Sequence, residues 1–212
     1  MKDVNMTIGR FQPFTRGHLQ MVLDGEKKNG LPAVVLMIQN KKPDARHPFS
    51  DSLVKKEIDL LKKHYPIEDV ILVSNADIVK AGQTLNESGY TAHLWLCGDD
   101  REAAYKKQAE NPKYREQGSY PEDFTTYTGT GRTEGVSGTA AREAIATGDL
   151  KAYKKVMPEG TDRLFSAFQE EMLETNESSE DADPLDSNTI DDGSKESETT
   201  RKKLSEYLQE TL

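Results

Sequence analysis

The sequence predicts an α/β fold: an open, doubly wound parallel sheet with helices on both faces, C-terminal helices and a disordered acidic tail. Three observations predict it. Short apolar runs alternate with segments of helical period up to about Phe168, the pattern that builds parallel sheets. Several of these runs end on glycine or polar residues (Gly9, Gln39-Asn40, Gly98-Asp99-Asp100), as strand ends around a ligand crevice do. Beyond Leu173 acids, serines and asparagines replace the apolar residues, leaving little to bury.

The elements follow in order. Val4–Ile8 reads as a first strand and Gly17–Lys28 as a helix. Ala33–Ile38 is continuously apolar, as expected of a strand covered on both faces. Ser50–His64 is helical, with Leu53, Val54, Ile58, Leu60 and Leu61 near one face and Ser50 or Asp51 as its cap. Val70–Val73 is a third strand, Asp77–Glu87 a helix and His93–Leu96 a fourth strand. Asn111–Thr133 has no hydrophobic period and reads as a long loop over the ligand crevice. Ser137–Thr147, Leu150–Met157 and Thr161–Leu173 complete the helices. With right-handed crossovers the result is Rossmann-like.

The organisation expected is one domain over residues 1–173, a disordered acidic linker over 174–200 and a short amphipathic helix over 201–212. Leu204, Tyr207, Leu208 and Leu212 fall at helical spacing in that last segment. An isolated helix of this length is marginal in water. It either packs on its own domain, meets a protein partner or frays.

Composition narrows the partners. The 212 residues carry 28 Lys and Arg against 37 Asp and Glu, a net charge of −9, a poor balance for gripping a nucleic-acid backbone. No apolar run approaches the roughly 18 residues needed to span a bilayer. No basic start leads into an apolar segment as in a signal peptide. The single cysteine, Cys97, leaves no intrachain disulfide and no cysteine-based zinc cluster. The expectation is a cytoplasmic protein that binds small molecules, neither nucleic acid nor membrane; a homo-oligomer is left open.

Function is concentrated in Gly9-Arg10-Phe11-Gln12-Pro13-Phe14-Thr15-Arg16-Gly17-His18. It joins the first strand to the first helix, so its backbone N–H groups and the helix N-terminus form a seat for phosphate. His18 stands at the helix start and can donate to a phosphoryl oxygen as negative charge grows there. Thr15 either adds a hydroxyl to the same phosphate or is an ordinary N-cap. A second seat lies in Gly131-Arg132-Thr133-Glu134-Gly135-Val136-Ser137-Gly138-Thr139-Ala140-Ala141-Arg142. Ser137 opens a helix there, and Arg142 follows between one and two turns later. Taken alone, that segment is a capped surface helix with an exposed arginine.

Together, Thr15-Arg16-Gly17-His18 and Val136-Ser137-Gly138-Thr139-Ala140-Ala141-Arg142 resemble the (H/T)xGH and ISGTxxR motifs of the nucleotidylyltransferase superfamily, over roughly residues 1–170. The resemblance implies that an oxyanion of a phosphorylated acceptor attacks the α-phosphate of a nucleoside triphosphate, that pyrophosphate leaves, and that Mg²⁺ assists without confident side-chain ligation. It implies that His18 and Thr15 contact the triphosphate and that Ser137, Thr139 and Arg142 hold its β- and γ-phosphates. Gly9, Arg10, Phe11, Gly17, Gly98, Asp99, Arg132, Val136 and Gly138 complete the expected nucleotide site.

The branches of the superfamily pull apart. Gly-Arg-Phe-Gln-Pro-Phe is similar to nicotinamide-mononucleotide adenylyltransferases. Thr15 and the stretch Gln39-Asn40-Lys41-Lys42-Pro43 are similar to phosphopantetheine adenylyltransferases, where a lysine contacts phosphate. That places Lys42 in the catalytic set and Asn40, Lys41 and Arg46 at the acceptor, unless the lysines are plain solvated residues. Arg132-Thr133-Glu134-Gly135-Val136-Ser137 is similar to the RTEGIS element of cytidylyltransferases. ATP is favoured over CTP on the first motif and the Gly-Thr-x-x-Arg ending. Asp99 and Asp100 either meet a ribose, the acceptor or a water on Mg²⁺, or are acids that suit a helix start. Arg46 and His47 either hold the acceptor's phosphate or sit in a mobile loop. Tyr114, Tyr120, Phe124 and Tyr127 either stack on a base or lie on a loop surface.

Two competing functions stand beside this one: a catalytically silent nucleotide-binding protein that assembles through its C-terminal tail, and, ranked lower, a fragment of a class I aminoacyl-tRNA synthetase. A single triphosphate can join both seats only if His18 and Arg142 share one cavity.

Overall fold

The computed structural model describes residues 1–131 and 134–180. Five parallel strands form one sheet in the order β3-β2-β1-β4-β5. They are β1 (Lys2–Gly9), β2 (Ala33–Ile38), β3 (Ile67–Val73), β4 (Tyr90–Leu96) and β5 (Thr125–Tyr127). The helices are α1 (Arg16–Asn29), α2 (Asp51–Leu61), α3 (Ile78–Glu87), α4 (Asp99–Ala109), α5 (Pro112–Gly118), α6 (Gly138–Ala146), α7 (Leu150–Val156) and α8 (Phe165–Glu180).

The alternation of β2 separates two cores. Ala33, Val35 and Met37 face a cluster built from α1, α2, α6, α7 and α8. Val34 and Leu36 face another, with Ile78, Ala81 and Leu85 of α3, Trp95, Ala109 and Phe124. Side chains on successive strand residues point to opposite faces, so helices cover both sides. Asn5 is fully buried in β1. Its amide exchanges hydrogen bonds with that of Asn29 at the end of α1 (2.9 and 2.8 Å), which satisfies both polar groups in the core.

The chain runs from β1 outward through β2 and β3, then returns to place β4 on the other side of β1. A topological switch point therefore lies between the carboxyl ends of β1 and β4. Ligands bind at that crevice in open α/β sheets.

Three stretches differ from expectation. Asp99–Ala109, where no helical run is expected, forms α4. The loop expected over 111–133 contains α5 and β5. Pro112 opens α5 behind the Asn111 cap, whose side chain accepts from the Lys113 N–H, and β5 pairs with β4 from Leu94↔Thr125 to Leu96↔Tyr127. The acidic linker expected from residue 174 starts inside α8, which continues to Glu180. Residues 181–212, with the rest of that linker and the amphipathic helix expected over 201–212, lie outside the described residues. Among the described residues no helix is long and apolar enough to cross a membrane.

The last helix is fastened to the loop ahead of α2. Glu171 accepts from the Ser50 N–H and hydroxyl, both at 2.7 Å. The Thr175 hydroxyl donates to the Pro48 carbonyl at 3.0 Å.

Candidate functional site

The turn after β1 leaves regular structure for six residues, and each polar group in it must find a partner elsewhere. Gln12 is buried. Its side chain donates to the Phe49 carbonyl and accepts from the Phe49 N–H, both at 2.9 Å. The Phe14 N–H donates to Oε2 of Glu57 at 3.0 Å. Phe11 sits at φ +50°, a left-handed conformation rare for a bulky side chain. Its ring lies edge-on to His18, with centroids 5.1 Å apart, and Phe14 packs 5.4 Å from the same imidazole.

Those contacts define the state of His18. The Thr15 N–H donates to Nδ1 of His18 at 3.0 Å, and the Thr15 hydroxyl lies 3.2 Å from the same atom. Nδ1 is therefore an acceptor, and the proton of the neutral ring belongs on Nε2. Burial pulls the imidazole down to about 4, so near neutrality it carries no charge. Thr15 is the N-cap of α1, and the expected motif residues serve the helix and the site together.

The second segment arrives at the same place. Ser137 caps α6, its hydroxyl oxygen accepting from the Ala140 N–H at 3.0 Å. Arg142 donates from Nη1 to the Gln12 carbonyl at 2.7 Å and from Nη2 to the Thr139 hydroxyl at 3.3 Å. Burial holds the guanidinium below its ordinary value, and the nearby Asp44 carboxylate offsets only part of this. A Cβ on Gly138 would lie 3.1 Å from Nη1 of Arg142 and 3.4 Å from the Gln12 carbonyl oxygen. A larger residue there would crowd the contact between the two segments.

A cleft of about 290 Å³ lies between these elements at the switch point. Gly9, Arg10, Phe11, Thr15, Gly17 and His18 line it from the β1 side. Leu96, Cys97, Gly98, Asp100, Arg101 and Tyr105 line it from β4 and α4, and Val136, Ser137 and Gly138 from the start of α6. The family model for cytidylyltransferase-like proteins matches residues 6–144, a span that contains both segments and most of the sheet. The chain belongs to the cytidylyltransferase-like family.

Solved structures of similar fold accompany that match. A Plasmodium falciparum nicotinic acid mononucleotide adenylyltransferase complexed with APC aligns with a TM-score of 0.51 at 12% identity, over 83% of this chain and 96% of that one. A Francisella tularensis bifunctional NMN adenylyltransferase/ADP ribose pyrophosphatase aligns at 0.52 and 18% identity, over 85% of this chain and 55% of that one. Thermotoga maritima TmcAL bound with alpha-thio ATP aligns at 0.52 and 14% identity, over 84% and 56%. At such identities the likeness is one of fold. No curated protein sequence matches.

Not every candidate reaches the cleft of this cytidylyltransferase-like chain. Thr139 and Arg142 do not line it; Arg142 adjoins it, bonded to the Gln12 carbonyl and packed beside Gly138, which does line it. Asp99 does not line it; its neighbour Asp100 does, and Asp99 accepts from the Asp100 N–H at 3.0 Å as α4 begins. Lys41, Lys42 and Arg46 are exposed and line no part of it. Asn40 holds its own loop: Nδ2 donates to the carbonyls of His47 and Phe49 at 2.7 and 3.1 Å. Arg10 reaches Nδ1 of His47 at 3.0 Å. Arg132 lies outside the described residues. Among the other loop candidates, Tyr120 and Phe124 stack on one another 4.0 Å apart, and Phe124 is buried.

Three residues that organise the site receive no role from the motifs: Gln12, although it stands inside the first one, Glu57 and Asp24. Asp24 on α1 accepts from the N–H and hydroxyl of Thr130 at 2.8 and 2.7 Å, tying down the segment that enters the second motif. Burial pushes its carboxyl up, but the Thr130 bonds, with Gln20 and Lys27, bring it below the usual range. Gly129 passes this point at φ +62°, where a Cβ would lie 2.4 Å from the Asp24 carboxylate. Asp24 and Glu57 are acids on otherwise apolar helix faces, and that is the signal that could have found them.

Proposed function

We propose that this chain is a nucleotidylyltransferase that transfers a nucleoside monophosphate, AMP from ATP, to a phosphorylated small molecule and releases pyrophosphate. The observation that carries it is the Arg142–Gln12 contact, which brings the second motif onto the first beside a cleft at the switch point. A triphosphate laid there meets the β1 turn and the α6 N-terminus at once, and both favour anions.

An acceptor phosphate oxygen attacks the α-phosphorus. The bond from that phosphorus to the bridging oxygen breaks, and its electrons leave with pyrophosphate. His18 is neutral, with Nδ1 occupied. Nε2–H is then the ring's donor toward a phosphoryl oxygen, and it requires no proton transfer. Arg142 keeps guanidinium donors beyond those given to Gln12 and Thr139, and these pair with the β- and γ-phosphates. Ser137 keeps its hydroxyl proton for the same anion, since the cap uses only its oxygen. Catalysis rests on positioning and on donors set in advance where charge develops.

A divalent cation fits this site as a passenger of the triphosphate. Among the described residues no group of three or more His, Cys, Asp or Glu side chains could hold a metal, and Asp100 is the carboxylate among the cleft-lining residues. Mg²⁺ is commonly held by substrate phosphates, waters and one or two carboxylates, and it would neutralise polyphosphate charge.

A CTP-dependent reading is favoured by the family model's cytidylyltransferase-like description and by the element that leads into Ser137. One experiment separates the two. The protein is incubated with ATP or CTP, Mg²⁺ and a panel of phosphorylated acceptors, and pyrophosphate is measured. Release with ATP supports the adenylyl reading, and release with CTP alone replaces it. No release from either triphosphate with any acceptor overturns the transferase reading.

A further inference from the structure

We propose that Glu57 is a positioning residue of the nucleotide site: from inside the core it holds the Phe14 N–H and thereby sets the turn that places His18. This rests on the transferase reading for its effect on turnover, but not for its effect on the imidazole.

Glu57 is fully buried among Val54, Ile58 and Leu61 of α2. Oε2 accepts from Phe14, while Oε1 is buried without a hydrogen-bond partner. A carboxyl in such a place is costly, and an apolar side chain of similar volume would suit the core better. What Glu57 supplies is an acceptor for a main-chain N–H that belongs to no helix or strand. Burial pushes its carboxyl well above the usual range, while the hydrogen bond from the Phe14 N–H acts in the opposite sense.

The consequence reaches His18 by two short routes. Phe14 precedes Thr15, whose N–H holds Nδ1 of the imidazole. The Phe14 ring also packs on the imidazole and, 5.3 Å away, on Phe11. Gln12 is held two residues earlier by Phe49, ahead of α2. The turn is therefore braced from the α2 side at two alternate residues, one on each flank of Pro13. Displacement of a reacting group by about 1 Å can cost 100-fold in rate, so a loosened brace acts on turnover more than on binding.

The test compares Glu57→Met, which keeps volume and loses the acceptor, with Glu57→Gln, which keeps both. Glu57→Asn is a second neutral amide that draws the acceptor back by one carbon. His18 is followed by ¹⁵N NMR of its ring nitrogens through a pH titration, and pyrophosphate release gives kcat and KM. Glu57→Gln should stay within about threefold of the parent kcat. Glu57→Met and Glu57→Asn should lose about 10- to 100-fold in kcat, with the KM for triphosphate little changed. In both, the Nδ1 resonance should lose its hydrogen-bonded shift and the imidazole midpoint should climb from about 4 toward that of an ordinary histidine. If Glu57→Met does not fold, the Gln and Asn pair decides alone. Parent-like His18 resonances in a folded Met or Asn variant overturn the proposal whatever the activity. Absence of pyrophosphate release in the parent overturns the transferase reading instead, and the NMR comparison still decides the brace.

Discussion

Arg142 donates to the main-chain carbonyl of Gln12 across 2.7 Å, although 130 residues separate them. One guanidinium thus joins the first strand's turn to the start of α6 and still has donors to spare. Lysine has the charge but no planar fork, so it cannot hold the carbonyl and a phosphate with comparable geometry. Arg142→Lys should lose about tenfold in kcat/KM for the triphosphate, and Arg142→Ala about 100-fold, or ~3 kcal/mol of transition-state binding. Initial rates of pyrophosphate release at varied triphosphate check this.

His18→Ala removes the Nε2 donor and also the acceptor of the Thr15 N–H. The first loss should lower kcat by about 100- to 1000-fold, as for other donors aimed at developing charge. The second should cost about 1 kcal/mol of helix capping. A thermal melt that falls by only a few degrees, beside that collapse in rate, separates chemistry from folding.

His18 and Glu57 give opposite pH dependences of stability. The folded imidazole stays neutral down to about 4, whereas an unfolded histidine gains its proton near 6.5. Its contribution is complete above 6.5 and is lost as pH falls through about 4. The folded Glu57 carboxyl holds its proton far above 4.5, where the unfolded chain ionises. Its contribution is complete below 4.5 and is lost as pH rises toward the elevated folded value. Urea melts across pH should show His18→Gln flattening the acidic decline and Glu57→Gln flattening the loss on the alkaline side.

Gly82 of α3 lies where a Cβ would come 2.2 Å from the Gly118 carbonyl oxygen. Backbone cannot yield as a flexible side chain can, so Gly82→Ala should force α3 and α5 apart. A loss of about 1–3 kcal/mol is expected for such overpacking, read as a lower denaturant midpoint. Turnover per folded molecule should be preserved, since neither helix end enters the cleft.

Four of the five strands, most helices and both motif segments are legible in the sequence because each rests on a local signal. Ala33–Ile38 is uniformly apolar, and Ser137 stands at a helix start as a capping residue should. What escapes is set by tertiary context. The short β5 exists through pairing with β4, and α4 has a single buried residue, Ala109, to mark an inner face. Glu57 is hidden by its own chemistry: it occupies a core position three residues after Val54 and four before Leu61, where an acid reads as an interruption. Lys41 and Lys42 show the converse. Their neighbours resemble a phosphate-binding stretch, yet the Asn40 amide folds that loop on itself and leaves both lysines in solvent.

The fastening of α8 to Pro48 and Ser50 bears on where the polypeptide can be shortened. Ser50 adjoins Phe49, which grips Gln12, so a chain trimmed ahead of Glu171 gives up a latch only a few bonds from the phosphate seat. Trimming after Glu180 keeps both latches, and that is the boundary at which the acid-rich residues 181–212 can be removed while the domain keeps its own fastening.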